Sequence, residues 1–227
     1  MSTRPVGLWA LALLLAATVG CRARPAAPAP ASDITTEYDL IYALSRGQMN
    51  NRPSPFLVAT LAQLGPAPAA AALDLGGGTG RNSLLLARHG YAVTDVDLSR
   101  IGLDLARRQA EAEHLAVATV AADLNQFAMG ANRWDLIALI DFPFAYRPLL
   151  PRIAAALKPG GVVVIQAVAV GQPGLESPDH MLQYTFMDRR DLDAPFAGFQ
   201  LLHDSVSQQP TVWGVSALML RYAARKP

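Results

Sequence analysis

The sequence predicts an α/β domain built on a doubly wound, mostly parallel sheet, with an antiparallel strand pair at its C-terminal edge. Three observations carry that prediction. From Ala70 onward, short apolar runs alternate with amphipathic stretches, the pattern of a parallel sheet covered on both faces. The first run leads into a glycine turn and a helix start, Leu73-Asp74-Leu75-Gly76-Gly77-Gly78-Thr79-Gly80-Arg81-Asn82. The last two runs are joined too closely for a crossover helix, so they pair antiparallel. A chain of 227 residues, 52% hydrophobic with three Trp and seven Phe, is long enough to bury such a core.

The elements follow in chain order. Arg4 precedes the uncharged stretch Val6 to Val19, then Gly20 and Cys21, which is the layout of a signal peptide over residues 1–20. The stretch is short for a spanning helix, which needs about 20 apolar residues. Ala17-Thr18-Val19-Gly20-Cys21 resembles a bacterial lipobox, in which the cysteine becomes the lipid-bearing first residue. Cys21 is the only cysteine, so no intrachain disulfide or cysteine metal cluster is expected. The expectation is an exported lipoprotein anchored to a membrane of a bacterial envelope. The alternatives are an uncleaved anchor, or a start placed too far upstream and a cytoplasmic protein. Residues 21–36 combine this cysteine with a Pro/Ala-rich tether, and residues 37–227 form the folded domain.

Residues 37–46 and 54–64 read as helices, with Pro53 and Pro55 at the start of the second, where a missing N–H costs least. Strands are expected at 70–75, 91–96, 116–121, 134–140 and 162–168, and helices at 80–89, 99–113 and 146–157. Ser99 is a natural N-cap, and Lys158-Pro159-Gly160-Gly161 stops the third of these helices. The final pair, 199–207 and 212–222, is joined through Gln208-Gln209-Pro210. No internal repeat is visible.

Beyond Cys21, 18 basic side chains balance 18 acidic ones, so a nucleic-acid backbone is not expected as a partner. A glycine turn alone is weak evidence for a nucleotide, and three acids refine it. Reading G-x-G-x-x-G from Gly76 puts Arg81 where a third small residue belongs, which disfavours NAD and FAD. Asp74 lies inside the first strand, where it bonds the turn amides or orients a ligand ammonium, and it would repel a pyrophosphate. Asp97 ends the second strand, where a carboxylate accepts both ribose hydroxyls. Asp95 shares its sheet face, and one of the two is open to being a solvated charge. Asp123 ends the third strand, either accepting from an adenine amino group with Leu124 lining the ring, or forming a turn.

The string D-L-G-G-G-T-G-R-N-S-L-L-L-A-R-H-G-Y-A-V-T-D-V-D, followed by A-A-D-L-N, W-D-L-I and L-K-P-G-G, resembles a class I S-adenosylmethionine-dependent methyltransferase. It is most similar to the branch of the tellurite-resistance methyltransferases, through the G-R-N-S-L and D-L-N runs. The resemblance spans roughly residues 38 to 224. It implies a seven-stranded sheet with a final antiparallel strand and S-adenosyl-L-methionine as cofactor. It also implies Asp74, Gly76, Gly78 and Gly80 at the methionine end, Asp97 at the ribose, and Asp123 with Leu124 at the adenine. Gly77, Leu98 and Asp141 complete the candidate cofactor set.

Methyl transfer from a sulfonium is a direct displacement, so the enzyme must mainly align acceptor, methyl and sulfur and exclude water. A base is optional for a thiolate or another soft anion. The acceptor pocket is expected where Asp141-Phe142-Pro143-Phe144-Ala145-Tyr146 leaves the fourth strand, with Tyr38 to Met49 as a lid. Phe142 and Phe144 either face the sulfonium, a cation–π contact of roughly 0.5–2 kcal/mol, or belong to the core. Asp141 touches cofactor or substrate, or is a solvated loop acid. His89, His114, His180 and His203 show no HxH or HExxH spacing, so no metal is expected. His89 and His114 fall near helix ends, to cap or face solvent. Asp141 and His180 are the candidates for a catalytic role. No basic pair of the tellurite-resistance branch maps onto Gln208-Gln209-Pro210, so substrate identity does not carry over. A small-molecule methyltransferase leads; a non-catalytic scaffolding lipoprotein of the same fold and an NAD-linked oxidoreductase are the alternatives. Export is in tension with a cofactor made inside the cell.

Overall fold

The computed structural model describes residues 36–45, 51–142, 146–171, 186–210 and 216–227. Helices α1 (Glu37–Ser45) and α2 (Pro55–Leu64) precede a run of β1 (Ala71–Leu75), α3 (Arg81–Arg88), β2 (Ala92–Asp97), α4 (Arg100–Ala112), β3 (Val117–Ala121), β4 (Trp134–Ile140), α5 (Leu149–Ala156) and β5 (Leu157–Val168). A 3-10 turn at Arg189–Leu192 leads into β6 (Gln200–Pro210) and β7 (Ser216–Arg225). The strands form one seven-stranded sheet in the order β3-β2-β1-β4-β5-β7-β6. The first five are parallel, and β7 pairs antiparallel with both β5 and β6.

The helix starts follow local chemistry. Thr36 and Asp39 form a reciprocal capping box at α1: the Thr36 N–H donates to Asp39 Oδ2 and the Asp39 N–H to Thr36 Oγ1, both at 2.9 Å. Ser54 caps α2, with Pro55 in its first turn. Ser99 caps α4 through the Gly102 N–H, as the sequence suggested.

Alternation along the strands divides the core in two. Leu73, Leu75, Ile137, Leu139, Val163 and Ile165 face α5. Ala72, Leu136, Ala138, Val162 and Val164 face α2 and α3. Asp74 and Asp95 are register partners on the second face, so the side with α2 and α3 carries the acids. From the other side, Arg152 of α5 donates to the carbonyls of Leu124, Asn125 and Phe127 and fixes the loop that follows β3.

Several boundaries depart from the sequence reading: the helix expected at 146–157 starts at Leu149, the last strand runs on to Arg225, and two differences bear on the sheet. β5 begins at Leu157, so Lys158-Pro159-Gly160-Gly161 belongs to the strand, next to a register shift in its pairing with β4 between Trp134 and Leu136. Gln208-Gln209-Pro210 is not the hairpin connection. These residues end β6, opposite Leu218, Ala217 and Ser216, because an edge strand accepts polar residues and a terminal proline at little cost. Residues 1–35, Met49, Phe144 and His180 lie outside the described residues. Among the described residues no helix is long and apolar enough to cross a membrane.

Candidate functional site

The glycine turn opens at the end of β1, and its shape is set by this chain's own side chains. A Cβ on Gly77 would lie 2.2 Å from Asp95 Oδ1, and one on Gly78, where φ is +60°, would lie 2.4 Å from the Tyr42 hydroxyl. A side chain at either position would displace an acid below the turn or a tyrosine above it.

Asp97 stands at the tip of β2, half-buried. Its Oδ2 accepts from the Gly78 N–H at 3.0 Å and its Oδ1 from the Ser99 N–H at 2.8 Å. These bonds fix the carboxylate between the turn and the N-terminus of α4. Burial raises its pKa, and the two backbone donors oppose that rise. Leu98 beside it is 51% exposed, an apolar side chain held open at the rim.

Asp74 and Asp95 behave differently from the sequence expectation. Asp74 is buried and accepts from Ser83 Oγ at 2.7 Å, so it neither bonds the turn amides nor reaches the surface to meet a ligand ammonium. Asp95 is fully buried, and neither of its carboxyl oxygens has a hydrogen-bond partner, which excludes the solvated-charge reading. Burial pushes Asp74 up to about 6, and burial together with Asp74 raises Asp95 well above the usual carboxylate range. With one hydroxyl donor between two neighbouring acids, both are easier to protonate than free carboxylates, and Asp95, which has no donor of its own, is the one that favours the neutral form.

Helix α1 closes one side of the turn. Asp39, fully buried, accepts from Ser99 Oγ at 2.6 Å and from the Ile101 N–H at 3.2 Å, anchoring α1 on the N-terminus of α4. One turn later Tyr42 lies over Gly78 and Gly102. Burial, then Glu37 and Asp97, push the Tyr38 hydroxyl up to about 12, and burial and Asp97 raise that of Tyr42. Both phenols stay protonated beside Asp97.

On the other side, Asp141 follows β4 in a left-handed conformation, φ +56°. It forms a 2.6 Å ion pair with Arg81, both side chains less than a tenth exposed, and accepts from Gln166 Nε2 at 3.1 Å. Gln166 Oε1 in turn accepts from Ser54 Oγ, and Arg81 also donates to the Arg52 carbonyl. The reading of Asp141 as a solvated loop acid is therefore wrong, and its engagement with Arg81 leaves it no free position as a base. Arg81 serves to join α3, β4 and the chain before α2. Phe142 packs partly against the core and lies beside Gly76.

Asp123 accepts from the Asn125 N–H and side-chain amide through Oδ1, the turn-forming role, while Leu124 is buried next to it. His89 Nδ1 bonds the Leu85 carbonyl at the end of α3, and His114 follows α4 at φ +56°. His203, on the edge strand β6, packs its ring at a tilt against Phe56. Among the described residues no three His, Cys, Asp or Glu side chains come together as a metal-ligand set.

The structure brings Asp97, the glycines and Leu98 together at the turn; Asp39 and Tyr42 fall within the segment expected as a lid but are not singled out by the sequence reading, and Gln166 is not among its candidates. The Thr36-x-x-Asp39 capping pattern was readable. The docking of α1 on Ser99 and the Gln166 relay join distant segments and carried no local signal.

Residues 72–161 match the pattern of the family described as a methyltransferase domain. The chain is 33% identical over 100 residues to a ubiquinone biosynthesis O-methyltransferase of Coxiella burnetii, covering 42% of each chain. Over 86 residues it is 34% identical to the probable S-adenosyl-L-methionine-dependent methyltransferase TehB of Haemophilus influenzae, covering 38% of this chain and 30% of TehB. The matched segment thus spans less than half the length of these curated relatives. The crystal structure of TehB from Haemophilus influenzae shares the fold, with a TM-score of 0.66 at 21% identity, over 82% of this chain and 66% of that one.

Proposed function

We propose that the chain is a class I S-adenosylmethionine-dependent methyltransferase, a reading supported by its similarity to the methyltransferase domain and to TehB over part of its length, and that it transfers the methyl group to a small organic or metalloid acceptor with a soft nucleophile, such as a thiol or an oxyanion. The observation that carries the reading is Asp97. Its oxygens are held by the backbone of the glycine turn and of α4, so the carboxylate is aligned before any ligand arrives and is still partly open at the rim.

The residues fit the cofactor. Asp97 suits two ribose hydroxyls, with the neutral phenols of Tyr38 and Tyr42 close by. Leu98 offers apolar surface to an adenine, with Asp123 at its polar edge and Leu124 packed in the core behind it. Gly76, Gly77, Gly78 and Gly80 let the methionine end approach the backbone. An acidic rim on which Arg81, the cation that follows the turn, is already neutralised by Asp141 suits a positively charged ligand better than a pyrophosphate. Asp74 acts from below, as support for the turn through Ser83, and Asp141 positions Arg81. When bound, S-adenosylmethionine supplies a sulfonium methyl, whose transfer breaks one C–S bond, forms the bond to the acceptor and leaves S-adenosylhomocysteine. The protein aligns and excludes water. A thiolate acceptor fits a rim on which Asp141 is already ion-paired, since a soft anion needs no base. His180 remains a proposed base for a protonated acceptor.

We also propose that Cys21 carries a lipid and holds the domain at a membrane of the cell envelope, on the strength of the residue pattern over 1–21.

Calorimetric titration with S-adenosylmethionine, S-adenosylhomocysteine and NAD, followed by turnover on a thiol panel, tests the function. Both adenosyl ligands should bind and NAD should not. Asp97→Ala should weaken their binding by about 1–3 kcal/mol through lost charge-assisted hydrogen bonds. An unchanged affinity in the variant, or a preference for NAD, would refute the assignment.

A further inference from the structure

We propose that Arg221 recognises a carboxylate on the methyl acceptor, so that the acceptor is an organic acid whose anionic group lies away from the atom that receives the methyl. This rests on the proposed function, since it specifies the acceptor of that same site.

The placement comes from register. Arg221 of β7 lies directly opposite Gln166 of β5. Gln166 pairs with Ile140, the last residue of β4, and its carbonyl accepts from the Asp141 N–H at 2.7 Å. Arg221 therefore stands level with Asp141 and with the carboxyl-terminal rim formed by β1 and β4, while β5 runs on beside it to Val168. Ligands of open α/β sheets bind outside that rim. With β5 between them, Arg221 and the β4 tip are separated by two strand spacings, roughly 10 Å. Paired residues share a face, and the neighbouring pair Val164 and Ala223 belongs to the core under α2. Arg221 thus lies on the same side as Gln166, with its guanidinium carbon 5.9 Å from the Phe56 ring.

The chemistry comes from what Arg221 lacks. Its Nε is buried without a hydrogen-bond partner. Among the described residues no carboxylate pairs with it, whereas Arg81, Arg88, Arg147 and Arg189 each meet one. Its register partners, Gln166 and Ser205, are neutral; Asp141, level with it at the β4 tip, is already held by Arg81, and Asp204 of the neighbouring strand by Arg189. A buried guanidinium donor with no acceptor is costly, and a planar carboxylate answers its fork with two parallel bonds. One unneutralised cation matches a monoanion. A phosphate dianion calls for more positive charge than this rim offers.

The test uses the full chain loaded with S-adenosylhomocysteine, whose own binding reports separately on the cofactor assignment. Mercaptocarboxylic acids of increasing chain length, each matched with its neutral carboxamide, are titrated by calorimetry. At the favoured length the acid should bind about tenfold tighter than its amide. Arg221→Gln should abolish that ratio and leave S-adenosylhomocysteine affinity unchanged within about twofold, while Arg221→Lys, a point charge without the fork, should keep part of it. No acid preference at any length, or a ratio that survives Arg221→Gln, would overturn the proposal. If Arg221→Gln does not fold by circular dichroism, Arg221→Lys decides, and an undiminished ratio there overturns it equally. Loss of S-adenosylhomocysteine binding with a retained acid preference would instead sink the proposed function.

Discussion

Asp95 is the residue whose environment departs furthest from what its type prefers. A carboxyl group with no donor, under a glycine and beside a second buried acid, is stable only as the protonated form. The groups facing the pair are Asp97, Ser83 and Arg81, and Arg81 is already committed to Asp141. Both acids have folded pKa values raised above their unfolded values, so the folded state holds more protons than the unfolded chain. Their contribution to stability is complete below pH 4 and is lost as pH rises through the folded values, about 6 for Asp74. For Asp74 alone that loss is on the order of 3 kcal/mol. The wild-type melting temperature should therefore fall from pH 5 to pH 8 by several degrees more than that of Asp95→Asn, which cannot ionise and relieves Asp74 of its neighbour. Parallel melting curves across that range would show that the two acids do not share protons. The sequence reading placed Asp95 on the correct face but left open whether it was solvated. Alternation assigns a face; the depth of burial depends on α3 and α4 covering that face, which alternation does not report.

At the scale of elements, the turn, α3 and α4 form one packed unit. Gly80 adopts φ +84°, and a Cβ there would lie 2.6 Å from Ala106 Cβ and 3.1 Å from its Cα. The sequence marks this glycine as part of a ligand turn, yet its immediate neighbour is the adjoining helix. Gly80→Ala should cost about 2–4 kcal/mol, combining the left-handed penalty with overpacking. Chemical denaturation measures it, and the same substitution in an Ala106→Gly background should cost at least about 1 kcal/mol less. Equal costs in both backgrounds would mean that helix crowding is not what requires a glycine. The helices themselves were legible because their starts are written locally: Ser54 with Pro55, and Ser99, occupy the capping positions that their residue types prefer. The ends of β5 and β6 were not, because strand length there is fixed by pairing with β7, and a Gln-Gln-Pro run satisfies an edge strand as well as it satisfies a turn.

Across the whole molecule, the two halves of the sheet differ in how openly their residues declare a purpose. The β1–β3 half carries the glycines, Asp97 and the Leu124 loop within short local motifs, and the order of strands places them side by side. The β4–β7 half assembles its polar groups from Ser54, Asp141, Gln166 and Arg221, which only the completed sheet brings together. The N-terminal segment adds a question of compartment, because the cofactor proposed for the domain is made inside the cell and a lipid on Cys21 would place the domain outside the cytoplasm. A lipid contributes about 0.8 kcal/mol per buried methylene, so acylation, not the charge-balanced surface, would govern membrane attachment. Full-length protein expressed in a bacterium with labelled palmitate should incorporate label and enter the detergent phase on partition. Cys21→Ala should lose both the label and the detergent partition, while S-adenosylmethionine affinity, assigned to residues of the folded domain, should stay the same. Unlabelled wild-type protein in the aqueous phase would remove the anchor, and the tension between export and cofactor supply would vanish with it.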